Sequence, residues 1–158
     1  MLSIRPATIN DVALLRMLIC ELADYEKALD KVLNTEVDLA RDGFGPQPKF
    51  RALLAYWGQE PAGYALFFDF YSTWRGRQMF LEDVFVREAF RGRKVGKALL
   101  AAVARIAQSN GCHALRWEVL DWNHNAIEFY KSLGAEFRDA WRLVVLKDDH
   151  LRRLAEIS

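Results

Sequence analysis

The chain has 158 residues, 52% hydrophobic and 27% charged, which is ample for a packed core and unlike the composition of a disordered protein. Its longest unbroken apolar run, Ala98 to Ala104, falls far short of the roughly 18 residues of a membrane-spanning helix. With 22 basic and 21 acidic residues it has no bulk charge to hold it on nucleic acid or an anionic membrane.

The first residues, Met1 to Pro6, lack the charged head and long apolar stretch of a secretory signal. Cys20 and Cys112 are the only cysteines, too few for a disulfide framework. The expectation is one soluble, cytoplasmic domain spanning residues 1–158.

In chain order, Leu2 to Arg5 reads as a short strand. Asn10 and Asp11 are cap-type residues ahead of Val12, Leu15, Leu18, Ile19 and Leu22, which recur at helical spacing. Thr35-x-x-Asp38 starts a second, short helix that stops at Gly43. The segment Asp42-Gly43-Phe44-Gly45-Pro46-Gln47-Pro48 is a loop too short to separate domains. Phe50 to Trp57, Ala62 to Phe70 and Gln78 to Val86 read as strands, with turns at Gly58-Gln59-Glu60-Pro61 and Trp74-Arg75-Gly76-Arg77. A long helix is predicted from Val95 to Ser109, then a strand from Ala114 to Leu120 and a helix from Asn123 to Leu133, stopped by Gly134. A final strand from Trp141 to Leu146 and a helical turn around Leu151 to Glu156 complete the reading. An antiparallel meander followed by a βαβ unit makes a mixed α/β sheet.

The near-zero net charge is unevenly spread. Glu21 to Asp42 holds seven acids and three bases, and Arg87 to Arg105 holds six bases and one acid. The basic segment contains the most informative pattern. The strand Phe80-Leu81-Glu82-Asp83-Val84-Phe85-Val86 feeds a basic, glycine-containing loop, Arg91-Gly92-Arg93-Lys94, which opens the long helix at Val95-Gly96-Lys97. Unpaired N–H groups at a helix N-terminus and the positive end of its dipole suit phosphate, and glycines let the main chain approach a ligand. No Gly-Lys-Ser/Thr follows at the spacing of a nucleotide-triphosphate loop, and the dinucleotide fingerprint is incomplete.

Arg91-x-x-Lys94-x-Gly96 resembles the pyrophosphate-binding signature of the GNAT N-acetyltransferase superfamily, usually Gln/Arg-x-x-Gly-x-Gly/Ala. Lys94 stands at the first glycine position. Further segments resemble its diamine (spermidine/spermine) N-acetyltransferase branch: Ile4-Arg5-Pro6-Ala7-Thr8, Glu21-Leu22-Ala23-x-Tyr25-Glu26, Phe80-Leu81-Glu82-Asp83, Asp121-Trp122-Asn123 and Phe129-Tyr130-Lys131. Within that branch, Tyr71-Ser72-Thr73-Trp74 resembles the thialysine acetyltransferase subgroup. The polyamine enzymes carry an acid before Pro-Trp where this chain has Ser72 and Thr73.

The resemblance implies the acyl-CoA N-acyltransferase fold, acetyl-CoA as cosubstrate, no metal, a small-molecule amine as acceptor and a homodimer. Moving acetyl from a thioester to an amine needs a neutral amine, stabilisation of an oxyanion and a proton for the departing thiolate. Glu82 is implied as the group that draws the amine proton, through water. Glu82 and Asp83 are neighbours on a strand, so alternation sends them to opposite faces and argues against a carboxylate pair sharing one proton. The backbone of Val84, Phe85 and Val86 is implied to contact the cofactor, on a strand that splays from its neighbour after Glu82.

Residues Arg91, Gly92, Arg93, Lys94, Val95, Gly96 and Lys97 would hold the pyrophosphate, with Asn123, Ala126 and Tyr130 completing the cofactor contacts. Asn123 caps its helix, while Phe129 and Leu133 occupy a buried stripe. The phenol of Tyr130 is the implied general acid. Tyr25, Glu26, Glu82, Trp117, Glu118 and Asp139 are implied at the acceptor site, where carboxylates and aromatic faces suit an ammonium.

Other readings remain open on sequence. A protein lysine acetyltransferase attacks with the same amine, and a non-catalytic acetyl-CoA-binding module would keep the basic loop without the chemistry. Neither Cys20 nor Cys112 has an evident base beside it, and His113, His124 and His150 show no metal-ligand spacing with them.

Overall fold

The meander foreseen between Phe50 and Val86 forms the centre of a five-stranded sheet in a computed structural model that describes residues 1–158. The chain comprises two compact units, Met1–Glu118 and Val119–Ser158. The first holds the whole sheet. Its strands are β1 (Leu2–Pro6), β2 (Arg51–Trp57), β3 (Glu60–Ser72), β4 (Gly76–Val86) and β5 (Ala114–Arg116), in that spatial order. The first four are antiparallel neighbours, and β5 returns parallel to β4 through helix α3 (Val95–Ser109).

Alternation along the strands builds two buried faces. On one, Leu54, Tyr64, Leu66 and Phe85 pack against Leu15 and Leu18 of helix α1 (Val12–Tyr25). The intervening strand residues, among them Leu53, Ala65, Phe67, Met79 and Leu81, are also buried, and α3 packs across β1 to β5 with Leu99 and Val103 inaccessible. Gly63 of β3 lies opposite Val86 at a close approach, where an added Cβ would sit 2.2 Å from the Phe85 carbonyl oxygen.

The helix starts follow the capping chemistry closely. Thr35 accepts from the Asp38 N–H while Asp38 accepts from the Thr35 N–H, a reciprocal box that opens helix α2 (Glu36–Phe44). Asp11 is the N-cap of α1, within the expected Asn10-Asp11 pair, but its side chain makes no cap bond to that helix. A 3-10 turn, Ile9–Asp11, comes first, with Thr8 and Asp11 as its box. Asp11 is almost buried and takes two 2.8 Å hydrogen bonds from Arg5, which hold its carboxyl far below the usual range.

The second unit contains helix α4 (His124–Ser132) and helix α5 (Asp148–Ala155), the latter a fuller element than the single turn expected. No helix of the chain is long and apolar enough to cross a membrane.

Three expectations need correction. The strand foreseen from Ala114 to Leu120 is regular only to Arg116, where its ladder with β4 ends. The segment Trp141–Leu146 forms no strand, and Val144 is 88% exposed. Its residues suit a strand, but β-propensity expresses fit to a paired, half-buried surface and supplies no partner. Leu133 does not extend the buried stripe of α4. It is the C-cap, past the last helical residue, and is exposed.

Candidate active site

The pairing of β3 with β4 breaks its register at one residue. Leu66 faces Asp83 and Phe67 faces Leu81, which leaves Glu82 as the extra residue of a bulge. The bulge interrupts the strict period of two from which opposite faces were expected for Glu82 and Asp83. Phe80 opposite Phe68 and Asp83 opposite Leu66 share a face, although they are three residues apart.

On that face the Tyr64 hydroxyl donates a 2.7 Å hydrogen bond to Asp83 Oδ2. Burial pushes the Asp83 carboxyl upward, the Tyr64 bond opposes this, and the charge of Glu26 adds to it. Glu82 stays open to solvent, yet its carboxyl is raised by desolvation and then by the charges of Asp83 and Glu118. Glu26, the C-cap of α1, is raised by desolvation and by Glu82. Tyr64, fully buried, is pushed well above an ordinary phenol by burial and by these acids. Glu26, Glu82 and Asp83 thus each hold a proton more firmly than an isolated carboxyl, through desolvation first and then a neighbouring negative charge.

A carboxylate raised in this way accepts a proton more readily at neutral pH than an isolated one. The same excess of negative charge favours a cationic ligand.

From Leu81 onward, just before the bulge, β4 loses its second neighbour. Its parallel ladder with β5 covers only Gln78–Phe80 against Ala114–Arg116, so Leu81 to Val86 has no strand on that side. The splay expected after Glu82 therefore begins slightly earlier. Along this edge Phe85 is committed to the core, while Val84 and Val86 are half-buried.

The chain then turns through the 3-10 turn Glu88–Phe90 into the basic loop. Gly92 has φ +74°, and Lys94 has φ +66° and ψ 13°, the left-handed conformation that glycine adopts without cost. Lys94 thus takes the backbone shape of the glycine it replaces. It is the N-cap of α3, provides no side-chain cap, and its carbonyl accepts from the Ala98 N–H at 3.0 Å. The N–H groups of the first turn, at Val95, Gly96 and Lys97, have no intrahelical acceptors. Gly96 leaves only ordinary van der Waals room beside Val86. Two left-handed residues, an uncapped helix start and exposed Arg93, Lys94 and Lys97 fit a pyrophosphate.

The two residues assigned together to the acceptor divide their roles. Glu26 acts on Glu82, as described. The Tyr25 ring lies under the Arg91 guanidinium, whose Cζ is 4.7 Å from the ring centroid. Arg91 Nε also donates to the Val86 carbonyl at 3.0 Å. Arg93 lies similarly over Trp57, at 5.1 Å. Trp117 and Glu118 follow the end of β5, and of the two it is Glu118 whose charge reaches Glu82.

The remaining candidates belong to the second unit. Asn123 Oδ1 accepts from the Ala126 N–H at 3.4 Å and caps α4. Tyr130 is buried near the end of that helix, beside the ring of Phe129. Asp139 is exposed in a turn.

The sequence reading did not foresee the Tyr64–Asp83 pair. An acid inside an otherwise apolar strand was its signal, but the partner lies on another strand. It also missed Arg87, which ties β4 to α1 through Glu21 at 3.0 Å.

A strand that carries a raised carboxylate and loses its ladder leads here into an anion-shaped helix start, an arrangement that suits an acyltransferase with a phosphate-bearing cosubstrate. The family model described as "Acetyltransferase (GNAT) family" matches residues 16–135, and the chain belongs to that family. Among curated proteins, thialysine N-epsilon-acetyltransferase of Bos taurus is 38% identical, over 96% of this chain and 96% of its own. Spermidine/spermine N(1)-acetyltransferase-like protein 1 of Homo sapiens is 33% identical over 96% of this chain and 23% of its own. Among solved structures, an integron cassette protein from the mobile metagenome of V. cholerae superposes with a TM-score of 0.82 at 25% identity, covering 99% of this chain and 98% of that one. The fold is the acyltransferase fold, and the protein is an amine N-acetyltransferase.

Proposed function

We propose that this protein acetylates the primary amine of a small, lysine-like or diamine molecule. The observation that carries the reading is that β4 holds the raised Glu82 carboxyl in its bulge and continues directly into the α3 cradle. Acetyl-CoA would supply the activated acetyl thioester. Arg93, Lys94, Lys97 and the first-turn N–H groups of α3 would bind its pyrophosphate, and the open edge from Val84 to Val86 offers main-chain groups for its linear arm.

The carboxylates of Glu26, Glu82, Asp83 and Glu118 hold the acceptor as an ammonium. Glu82 takes a proton from that nitrogen through water, because only the neutral amine has a lone pair to give. The charges of Asp83 and Glu118 raise the affinity of Glu82 for this proton. Tyr130, the residue that the family resemblance assigns as acid, releases its Oη proton to the departing sulfur. The same resemblance supports a homodimer, and the two lone cysteines support a cytoplasmic setting.

The lysine-like preference rests on the thialysine relatives and on Ser72. Its hydroxyl accepts from the Trp74 and Arg75 N–H groups at 3.2 Å, so it serves the turn where the polyamine branch carries an acid.

The test is release of free thiol from acetyl-CoA in the presence of thialysine, lysine, diamines, spermidine or a lysine peptide. Turnover is expected on the small amines. In Glu82→Gln, turnover falls and the pH–rate profile loses its acidic limb. In Tyr130→Phe, turnover falls with acetyl-CoA affinity unchanged. Exclusive turnover of the peptide would make the protein a protein lysine acetyltransferase. Coenzyme A binding without turnover of any amine would make it a binding module.

A further inference from the structure

The contact between Tyr25 and Arg91 joins an element expected at the acceptor to one expected at the cofactor. Arg91 is an exposed residue at the start of the basic loop, on a flexible side chain with roughly 2 kcal/mol of rotamer entropy. Two contacts restrict it here. Its Nε–H is directed to the Val86 carbonyl at 3.0 Å, and its Cζ lies over the Tyr25 ring, 4.7 Å from the centroid.

The hydrogen bond uses Nε and the ring contact uses no donor, so neither occupies the Nη groups. A cation over a ring keeps its N–H donors for an anion, so one Arg can satisfy a ring and a phosphate at once. Tyr25 itself is anchored at the C-terminal end of α1, whose Leu15 and Leu18 are inaccessible in the core. Its backbone therefore belongs to an element seated in the core, while its ring is exposed.

We propose that Tyr25 is a positioning residue for the cofactor, presenting Arg91 to the pyrophosphate through the ring–guanidinium stack. This rests on the acetyltransferase reading above and departs from the acceptor role that the resemblance implies for Tyr25. An ammonium at the Tyr25 face would compete with a guanidinium already seated there. Glu26, one residue further, has no such competitor and is coupled to Glu82.

The experiment is calorimetric titration of the full chain with coenzyme A, using wild type, Tyr25→Phe, Tyr25→Leu, Arg91→Gln and the Tyr25→Leu/Arg91→Gln double variant. Tyr25→Phe, which keeps the ring, should bind within about twofold of wild type. Tyr25→Leu should bind about two- to tenfold more weakly, the range expected for one cation–π contact. In the Arg91→Gln background Tyr25→Leu should have no further effect, because its route to the ligand is gone. A parallel assay with acetyl-pantetheine, which lacks the pyrophosphate, should show the same amine KM for Tyr25→Leu and wild type.

Unchanged coenzyme A affinity in Tyr25→Leu, or additive losses in the double variant, would overturn the proposal. So would a raised amine KM with both acetyl donors, which would return Tyr25 to the acceptor. Failure of the wild type to bind coenzyme A is a different result, and would overturn the acetyltransferase reading together with this inference.

Discussion

Lys94 offers a direct test of how the cradle is built. Its φ of +66° and ψ of 13° place an L-residue in the left-handed region, at a cost of about 1–2 kcal/mol. Its side chain is exposed and makes no hydrogen bond or ion pair, so removing it sacrifices no polar contact within the chain. Glycine at this position relieves the strain and is also a better N-cap than a long side chain. Against this, glycine gives the unfolded chain extra freedom worth about 0.4–1 kcal/mol.

The balance predicts that Lys94→Gly is about 0.5–1 kcal/mol more stable than the parent, which at this chain length raises the melting temperature by about 1–4 °C. Lys94→Ala is the necessary control. It removes the same charge and keeps the strained backbone, so its melting temperature should match the parent. Both variants should bind coenzyme A more weakly at low ionic strength, with the difference from the parent fading as salt is added. Of the two, Lys94→Gly should bind more tightly, because the ligand can approach a bare main chain. Thermal unfolding followed by circular dichroism, with titrations at two salt concentrations, reads both effects. A Lys94→Gly protein that melts no higher than Lys94→Ala would refute the strain argument.

Two further substitutions probe β4. In Gly63→Ala the new methyl would lie 2.2 Å from the Phe85 carbonyl oxygen, so β3 and β4 must part. A loss of about 1–3 kcal/mol is expected, measured by denaturant unfolding, and coenzyme A binding should weaken as the edge from Val84 to Val86 moves. Asp83→Asn keeps an acceptor for the Tyr64 hydroxyl and removes the charge. Because the folded-state carboxyl of Asp83 is raised, its contribution is complete below the ordinary value of 3.8 and is lost as pH climbs through the raised one. Asp83→Asn should therefore be more stable than the parent at neutral pH, with that advantage gone below about pH 4. Its acidic limb of activity should move to lower pH, since Glu82 loses a neighbouring charge. A superimposable pH–rate profile would show that Asp83 does not act on the base.

Local chemistry explains what was legible in the sequence. The Thr35-x-x-Asp38 box, the helical recurrence of Leu15 and Leu18, and the apolar β2 to β4 run each state their structure within a few residues. The cradle was legible for the same reason: a strand, a glycine, a cluster of bases and a helix start lie contiguously. The Trp141–Leu146 strand failed because its residues specify a surface and a strand also needs a partner. The left-handed Lys94 was hidden differently. Nothing about a lysine announces positive φ, and only the place it occupies in a glycine-based signature pointed there.

The bulge at Glu82 is the clearest case of information that resides between strands. A period of two, applied to Glu82-Asp83, gives opposite faces, and no residue type in β4 contradicts it. The register is set by β3, where Leu66 and Phe67 are ordinary core residues that pair with Asp83 and Leu81 and skip Glu82. Glu82 feels the charges of Asp83 and Glu118 on top of its desolvation, and Glu26 from α1 is raised in turn by Glu82. Desolvation and these charges together decide the chemistry. A lone surface glutamate is nearly always ionised and a poor proton acceptor at neutral pH, whereas Glu82, desolvated and beside the charges of Asp83 and Glu118, has a raised affinity for the proton of an incoming ammonium. The acidic excess counted along the first helices thus acts through a place where the sheet departs from its own period.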